Sequence, residues 1–199
     1  MSESNSHPLA YKEIFKQLSD AKTFIAAVRI CDAHFQKLGS GSSRIVYKVL
    51  GNLVIKLAKN PAGIAQNRQE SDGHLASYDI ANFPLDSDPN DKWIFTRLAK
   101  KITPGKFFQL VGIKWPEYNI ALRNWENENK GRGHIYFQYP AMREKIDNND
   151  FFQEVTSLAG DMGLSVGDLN KINSYGEVDG KIKIIDLGLT ADIYKEYYE

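Results

Sequence analysis

The sequence has 199 residues, 42% of them hydrophobic, and its 25 Lys and Arg balance its 25 Asp and Glu. A formal net charge of zero argues against a protein that grips a nucleic-acid backbone, and no run of 18 apolar residues is present that would predict a membrane-spanning helix. The single cysteine, Cys31, excludes an internal disulfide, and the length predicts one domain or one domain built from two lobes.

The chain begins with a polar stretch. Residues 1–8 are predicted to be a disordered tail. Residues 1–8 contain no apolar segment of the kind found in a secretory signal. The predicted location is therefore the cytoplasm, or the cytoplasm of a host cell into which the protein is delivered. Residues 9–34 repeat apolar side chains at spacings of three and four, which predicts a helical extension. Short β-rich runs broken by glycine follow, at 35–38, 44–50 and 53–57.

The later part of the chain is mainly helical in its pattern. Residues 116–133 are polar and rich in Trp, Asn and Glu, and we interpret them as an insertion of uncertain shape. A β-rich half over 35–99 and a helical half over 100–199 together predict an α+β fold of two lobes. Helices are predicted over 61–76, from Pro104 and over 147–163, and strands over 93–98, 172–178 and 181–185.

A glycine-rich segment lies between the first two β-rich runs. Gly39 and Gly41 form a G-x-G-x-x pattern, in which the backbone can approach a phosphate and successive N–H groups can point at its oxygens. A surface turn of Gly and Ser explains the pattern equally simply. The β-branched residues after Arg44 predict a strand, which excludes a dinucleotide-binding motif, and no G-x-x-x-x-G-K-[ST] is present. A strand, a glycine turn and a second strand are typical of a protein kinase.

That arrangement requires a lysine on the next strand, and Lys56 follows Leu53-Val54-Ile55. One interpretation is a solvated lysine on a half-buried strand. The other is a cation aimed at nucleotide phosphates and held by a carboxylate of the following helix. Glu70 is the candidate partner, with Asp72 as the alternative.

The strongest pattern is near the C-terminus. Asp168 is followed five residues later by Asn173, and Asp186 follows Asn173 by thirteen residues, with Gly188 two positions on. Here the sequence resembles the protein-kinase-like superfamily, whose catalytic loop reads H-R-D-L-x-x-x-N and whose metal motif reads D-F-G. The resemblance covers residues 35–188. It implies a two-lobed kinase-like fold with a small β-rich N-lobe and a truncated helical C-lobe.

The resemblance also implies roles for individual residues. Asp168 would orient the acceptor hydroxyl and take its proton. Lys56, held by Glu70, would pair with the nucleotide phosphates as part of the catalytic group. Asn173 and Asp186 would hold Mg²⁺ or Mn²⁺. Residues 96–99 would join the lobes, with backbone groups that pair with the base. The ATP site would comprise Leu38, Gly39, Ser40, Gly41, Ser42, Ser43, Val46, Val54, Lys56, Leu98, Tyr175 and Ile185.

The sequence departs from the family pattern around the catalytic loop. Val166 and Gly167 replace the His-Arg pair, Asn170 replaces the usual lysine, Leu187 replaces Phe, and only eleven residues follow Gly188. These features predict constitutive activity without an activation loop. They are similar to the miniature kinase-like proteins of phages and to the minimal effector kinases that bacteria inject into hosts.

Three functions therefore remain open from the sequence. The first is an ATP- and Mg²⁺-dependent kinase that phosphorylates Ser or Thr of a protein, a host protein among the candidates, with no nucleic-acid or membrane partner. The second is a nucleotide-binding pseudokinase that acts as an interaction or inhibitor module. The third is phosphotransfer to a small molecule.

Overall fold

The computed structural model describes residues 7–49, 51–133, 140–188 and 190–199. The chain forms two compact units, the first made of residues up to 68 together with 84–98, and the second of residues 69–83 together with 99–199. Both units combine strands and helices, so the predicted α+β class is confirmed.

The first unit contains an antiparallel sheet of five strands in the order β1-β2-β3-β5-β4. Two helices precede the sheet, and a third follows its third strand and ends just beyond the unit's boundary. The elements are α1 His7–Asp20, α2 Phe24–His34, β1 Gln36–Ser40, β2 Arg44–Val49, β3 Leu53–Ala58, α3 Pro61–Glu70, β4 Asp86–Ser87 and β5 Trp93–Arg97.

The helical extension covers one face of this sheet. Tyr47 and Ile55, which are cross-strand partners, are fully buried in a core that also contains Leu18 of α1 and Cys31 of α2. Burial raises the pKa of the Cys31 thiol to about 12, as expected for a small apolar core residue. The predicted tail is too long, because α1 already begins at His7; residues 1–6 lie outside the described residues.

The second unit contains a small antiparallel sheet in the order β6-β7-β8 and most of the helices. Its elements are β6 Lys100–Lys101, α4 Pro104–Val111, α5 Trp115–Asn129, α6 Pro140–Asp147, α7 Asp150–Met162, α8 Val166–Leu169, β7 Tyr175–Val178, β8 Lys181–Ile184 and α9 Ala191–Tyr198, with 3-10 turns at Gly73–Ser77 and Ile172–Ser174. None of the helices in the described ranges is long and apolar enough to cross a membrane.

The interpretation of residues 116–133 as an insertion was wrong. Most of this segment is helix α5, and Tyr118, Ala121 and Leu122 are buried in the core of the second unit. These residues have the i, i+3, i+4 spacing of one helix face. The many Asn and Glu residues on the other faces obscured that spacing in the sequence.

The predicted helix over 61–76 also differs from the structure. Helix α3 ends at Glu70, and a 3-10 turn follows, whose first backbone groups are capped by the Asp72 side chain. Leu75 of this turn is fully buried in the core of the second unit. The predicted lobe of residues 35–99 is therefore interrupted by 69–83, because these residues pack with the distant helices rather than with their sequence neighbours.

Candidate functional site

The glycine-rich segment forms the predicted strand, turn and strand. Gly39 and Ser40 end strand β1, and residues Gly41–Ser43, which we call the glycine turn, connect it to β2. Leu38 lies at an irregularity in the β1–β2 register and is 46% exposed. A strand, β2, therefore follows the turn. A dinucleotide-binding glycine motif would be followed by a helix, so its exclusion is confirmed.

Lys56 lies in the middle of the sheet, and its side chain is not solvated. Its cross-strand partners are Val46 on β2 and Ile94 on β5, so the three residues share one face. Val54 is two residues before Lys56 and is on the same face. This face is opposite to the one that α1 and α2 cover. Lys56 is only 8% exposed, which excludes the interpretation of an outward-facing surface lysine.

The two carboxylates considered as partners of Lys56 have different environments. Glu70, the last residue of α3, is 3% exposed. The Asp72 carboxylate accepts a hydrogen bond from the His74 backbone at 2.9 Å and caps the 3-10 turn. Asp72 therefore has a local structural role, whereas Glu70 is a buried carboxylate at the end of α3.

Three segments of the second unit carry the predicted catalytic and metal residues, and hydrogen bonds join them. The Ser174 hydroxyl donates to the Asp168 backbone carbonyl at 2.7 Å. The Ile185 backbone N–H donates to the Ser174 carbonyl at 2.8 Å. Ser174 thus links the loop of Asp168 to the strand end that carries Asp186, and Asn173 is its neighbour in the chain. These hydrogen bonds thus join the backbone segments that carry the three predicted residues.

Tyr175 was predicted to line the ATP site, and that prediction was wrong. Its side chain is 1% exposed and belongs to the aromatic core of the second unit. The Tyr175 hydroxyl lies 2.7 Å from that of Tyr118 and donates to the Leu169 carbonyl at 2.9 Å. Tyr175 therefore holds the loop of Asp168 from the core of the second unit. Gly176 is on the opposite face of strand β7, where an added Cβ would lie 3.4 Å from Ile185.

The boundary between the two compact units falls within the predicted joining segment, 96–99. Thr96 and Arg97 are part of strand β5, and the boundary between the units falls after Leu98. The Leu98 backbone N–H already donates to the Asn52 carbonyl at 2.7 Å. That N–H therefore already has a partner in the turn between β2 and β3 and is not available for a nucleotide base.

Lys171 is a charged residue of this region that sequence reasoning missed. Its ammonium group contacts the Asp168 carboxylate at 2.5 Å. The hydrogen bond with Asp168 raises the pKa of Lys171, and the charge of Asp186 adds to the effect. A cation three residues after an aspartate on a helical turn is the signal that could have identified it. It also supplies a positive charge next to Asn170 in the chain.

The oxygen donors near Asp168 fit a magnesium ion. Asp186 and Asn173 offer a carboxylate and an amide oxygen, and both residues are exposed. Asn170 Oδ1 is buried and has no hydrogen-bond partner within the described part of the chain, so a bound cation or water would satisfy it. Among the described residues, no group of three or more His, Cys, Asp or Glu could hold a metal alone. Mg²⁺ commonly takes only one or two protein ligands and completes its shell with phosphate and water.

Two solved structures are similar to this chain at a low level. One is a choline/ethanolamine kinase family protein from Mesorhizobium loti, with 16% identity and a TM-score of 0.39 over 89% of this chain and 64% of that protein. The other is APH(2'')-IIa in a ternary complex with streptomycin and ATP, with 12% identity and a TM-score of 0.34 over 93% and 71% of the two chains. This chain thus spans less than two thirds of the length of the first protein. Such low TM-scores assign no family. No protein-family model matches the sequence, and no curated protein matches it.

Proposed function

We propose that the protein is an ATP- and Mg²⁺-dependent phosphotransferase of the protein-kinase-like superfamily. The observation that carries this proposal is the hydrogen-bonded region around Asp168, in which Ser174 links the segments of Asn173 and Asp186. The proposed reaction is the transfer of the γ-phosphoryl group of ATP to a hydroxyl. Charge positioning rather than covalent chemistry by the protein accounts for most of the catalysis in such reactions.

The residues of the second unit have distinct proposed roles in this step. The acceptor oxygen attacks the γ-phosphorus, the bond from that phosphorus to the bridging oxygen breaks, and ADP leaves with the electron pair. The Asp168 carboxylate orients the acceptor hydroxyl and receives its proton. Asn173 and Asp186 would hold a magnesium ion, which would neutralise charge on the phosphates.

The residues of the first unit have proposed roles in binding the nucleotide. The Lys56 ammonium, buried on a sheet face with Val46 and Val54, pairs with phosphate oxygens. The glycine turn offers backbone N–H groups to the phosphates. A buried lysine requires a partner anion, and phosphate meets this requirement as a carboxylate does.

We propose a Ser or Thr hydroxyl of a protein as the acceptor. Lys171, Asn173 and Asp186 are all exposed, and an open surface of this kind admits an acceptor on a large molecule. A small-molecule hydroxyl is the alternative acceptor. A pseudokinase that binds nucleotide without turnover is the alternative to an enzyme.

Phosphotransfer from γ-labelled ATP in the presence of Mg²⁺ or Mn²⁺ tests the proposed function. We expect label to appear in the protein itself or in lysate proteins, and the Asp186→Ala variant to lose it. Label only in small hydroxyl compounds would replace the protein acceptor by the alternative. Nucleotide binding in a thermal-shift titration without any transfer would support the pseudokinase. Wild-type protein with neither binding nor transfer would contradict both.

The Lys171→Met variant should lower kcat by about 10- to 100-fold, the effect of removing one hydrogen bond to a charged group. The lysine is paired with Asp168, and the charge of Asp186 also raises its pKa. We therefore expect its positive charge to neutralise charge on the transferred phosphoryl group. Steady-state rates with ATP at saturating concentration measure the effect. Lys145→Met, at an exposed lysine of α6, is the matched control. Equal kcat values for the two variants would remove Lys171 from the proposed mechanism.

A further inference from the structure

The glycine turn is held by side chains that follow strand β3. The Lys59 ammonium donates to the Gly41 carbonyl at 2.8 Å, and the Asn60 amide donates to the Ser42 carbonyl at 3.2 Å. The Lys59 backbone N–H donates to the Ser43 carbonyl at 2.8 Å. All three carbonyls of the turn are therefore bonded to one short segment.

Helix α3 adds a buried contact on the same side. The Ser43 hydroxyl donates to Gln66 Oε1 at 2.8 Å, and Ser43 and Gln66 are both only 6% exposed. An added Cβ at Gly63 would lie 2.2 Å from the Ser43 carbonyl oxygen, so the helix backbone packs directly against the turn. The Asn60 side chain also accepts from the Gly63 backbone N–H at 3.0 Å. Asn60 thus ties the start of α3 and the turn together.

This arrangement sets the direction of the backbone N–H groups of the turn. In a planar trans peptide, the carbonyl of one residue and the N–H of the next point in opposite directions. Since the carbonyls of Gly41 and Ser42 point to Lys59 and Asn60, the N–H groups of Ser42 and Ser43 point away from them. Two successive N–H groups on one side of a turn form an anion-binding concavity.

We infer that Lys59, Asn60 and Gln66 are positioning residues that hold the glycine turn in its phosphate-binding conformation before the nucleotide binds. The inference rests on the proposed function and adds residues that contact the turn rather than the phosphates. A turn that is already ordered loses little conformational entropy on binding, which improves affinity. The glycine turn is thus ordered before the nucleotide binds, although its glycine and serine residues would otherwise favour a mobile backbone.

The Gln66→Ala variant tests the inference, with Arg68→Ala as the matched control. Both residues are on α3, but the Arg68 side chain is 73% exposed and pairs with Asp91 rather than with the glycine turn. We expect Gln66→Ala to raise the KM for ATP by about 3- to 10-fold, the loss of one buried hydrogen bond, with kcat within about twofold of wild type. Hydrogen exchange of the 39–48 backbone, measured without nucleotide, should become faster. Arg68→Ala should change neither measurement.

A double-mutant cycle separates positioning from direct contact by Ser43. If Ser43 acts through Gln66, the Ser43→Ala/Gln66→Ala double variant should have the same KM as either single variant. If instead the KM increases of the two single variants multiplied in the double variant, Ser43 would contact the phosphate on its own, and the positioning role of Gln66 would be overturned. Should Gln66→Ala not fold, Lys59→Met removes a partly exposed contact to Gly41 and should raise the KM and the exchange rate in the same way.

The two proposals fail in different ways. An unchanged KM and an unchanged exchange rate in both Gln66→Ala and Lys59→Met, with an active wild-type enzyme, would overturn the positioning role alone. A wild-type protein that neither binds nor turns over ATP would overturn the proposed function, and the positioning role would be overturned with it. Faster exchange with an unchanged KM would also contradict the inference, because the order of the turn would then not contribute to phosphate binding.

Discussion

Replacing Asp168 by asparagine should lower kcat for phosphotransfer by about 10²- to 10⁴-fold, the usual contribution of a general base. The amide cannot accept the proton of the acceptor hydroxyl. The loop itself should keep its conformation, because Ser174 and Tyr175 hold it through the backbone carbonyls of Asp168 and Leu169. Single-turnover transfer of labelled phosphate measures the effect, and thermal unfolding checks the fold.

A second consequence of the same substitution is electrostatic. The pKa of Lys171 is raised mainly by its hydrogen bond to the Asp168 carboxylate, so Asp168→Asn should lower that pKa toward the ordinary lysine value. NMR titration of the lysine ammonium reports this shift. Asp179→Asn is the matched control, since asparagine tolerates the positive φ of 50° at that turn position. Retention of more than a tenth of the wild-type kcat in Asp168→Asn would rule out Asp168 as the base.

Phe107→Ala should destabilise the protein by about 3–5 kcal/mol, the range for removing a buried aromatic ring. Phe107 is fully buried, and its ring centroid lies 4.9 Å from those of Trp115 and Tyr118 and 5.8 Å from that of Tyr175. The substitution leaves a cavity that these rings cannot fill without losing their own contacts. Urea unfolding followed by tryptophan fluorescence measures the change in the free energy of unfolding.

The neighbouring residue provides the control for this prediction. Phe108 is on the same helix and is 44% exposed, so Phe108→Ala should cost no more than about 1 kcal/mol. Under conditions in which the variant stays folded, loss of the Phe107 ring should also lower phosphotransfer, because Tyr175 holds the Leu169 carbonyl in the loop that carries Asp168. Equal destabilisation by the two substitutions would mean that the aromatic cluster is not the stabilising core.

Local signals in the sequence predicted the elements near the proposed site well. Thr103 before Pro104 predicted the start of α4, and the structure confirms it with a hydrogen bond from the Lys106 backbone N–H to the Thr103 hydroxyl at 3.2 Å. The predicted strand with Lys56 was also confirmed, as was the pairing of the last two strands, although residues 172–174 of the strand predicted over 172–178 form a 3-10 turn. Caps, turns and strand alternation depend on neighbouring residues, so they can be predicted from short segments.

Burial and the side on which a residue lies were predicted less well. Tyr175 was assigned to the ATP site because of its position after Asn173, but its face of β7 points into the aromatic core. Helix α5 was missed because its buried face carries few strongly apolar residues among many polar ones. Which face of an element is buried depends on the partners it meets in the folded chain, and short segments do not contain them.

The length, the neutral charge and the order of motifs were properties of the sequence by itself. They were sufficient to predict an α+β chain and to identify Lys56, Asp168, Asn173 and Asp186 as the residues of interest. The tertiary structure alone decided that the Tyr175 hydroxyl lies against that of Tyr118 and that Gln66 holds Ser43, 23 residues away in the chain. Such contacts join side chains across turns and between separate elements, so their existence depends on packing and not on sequence spacing.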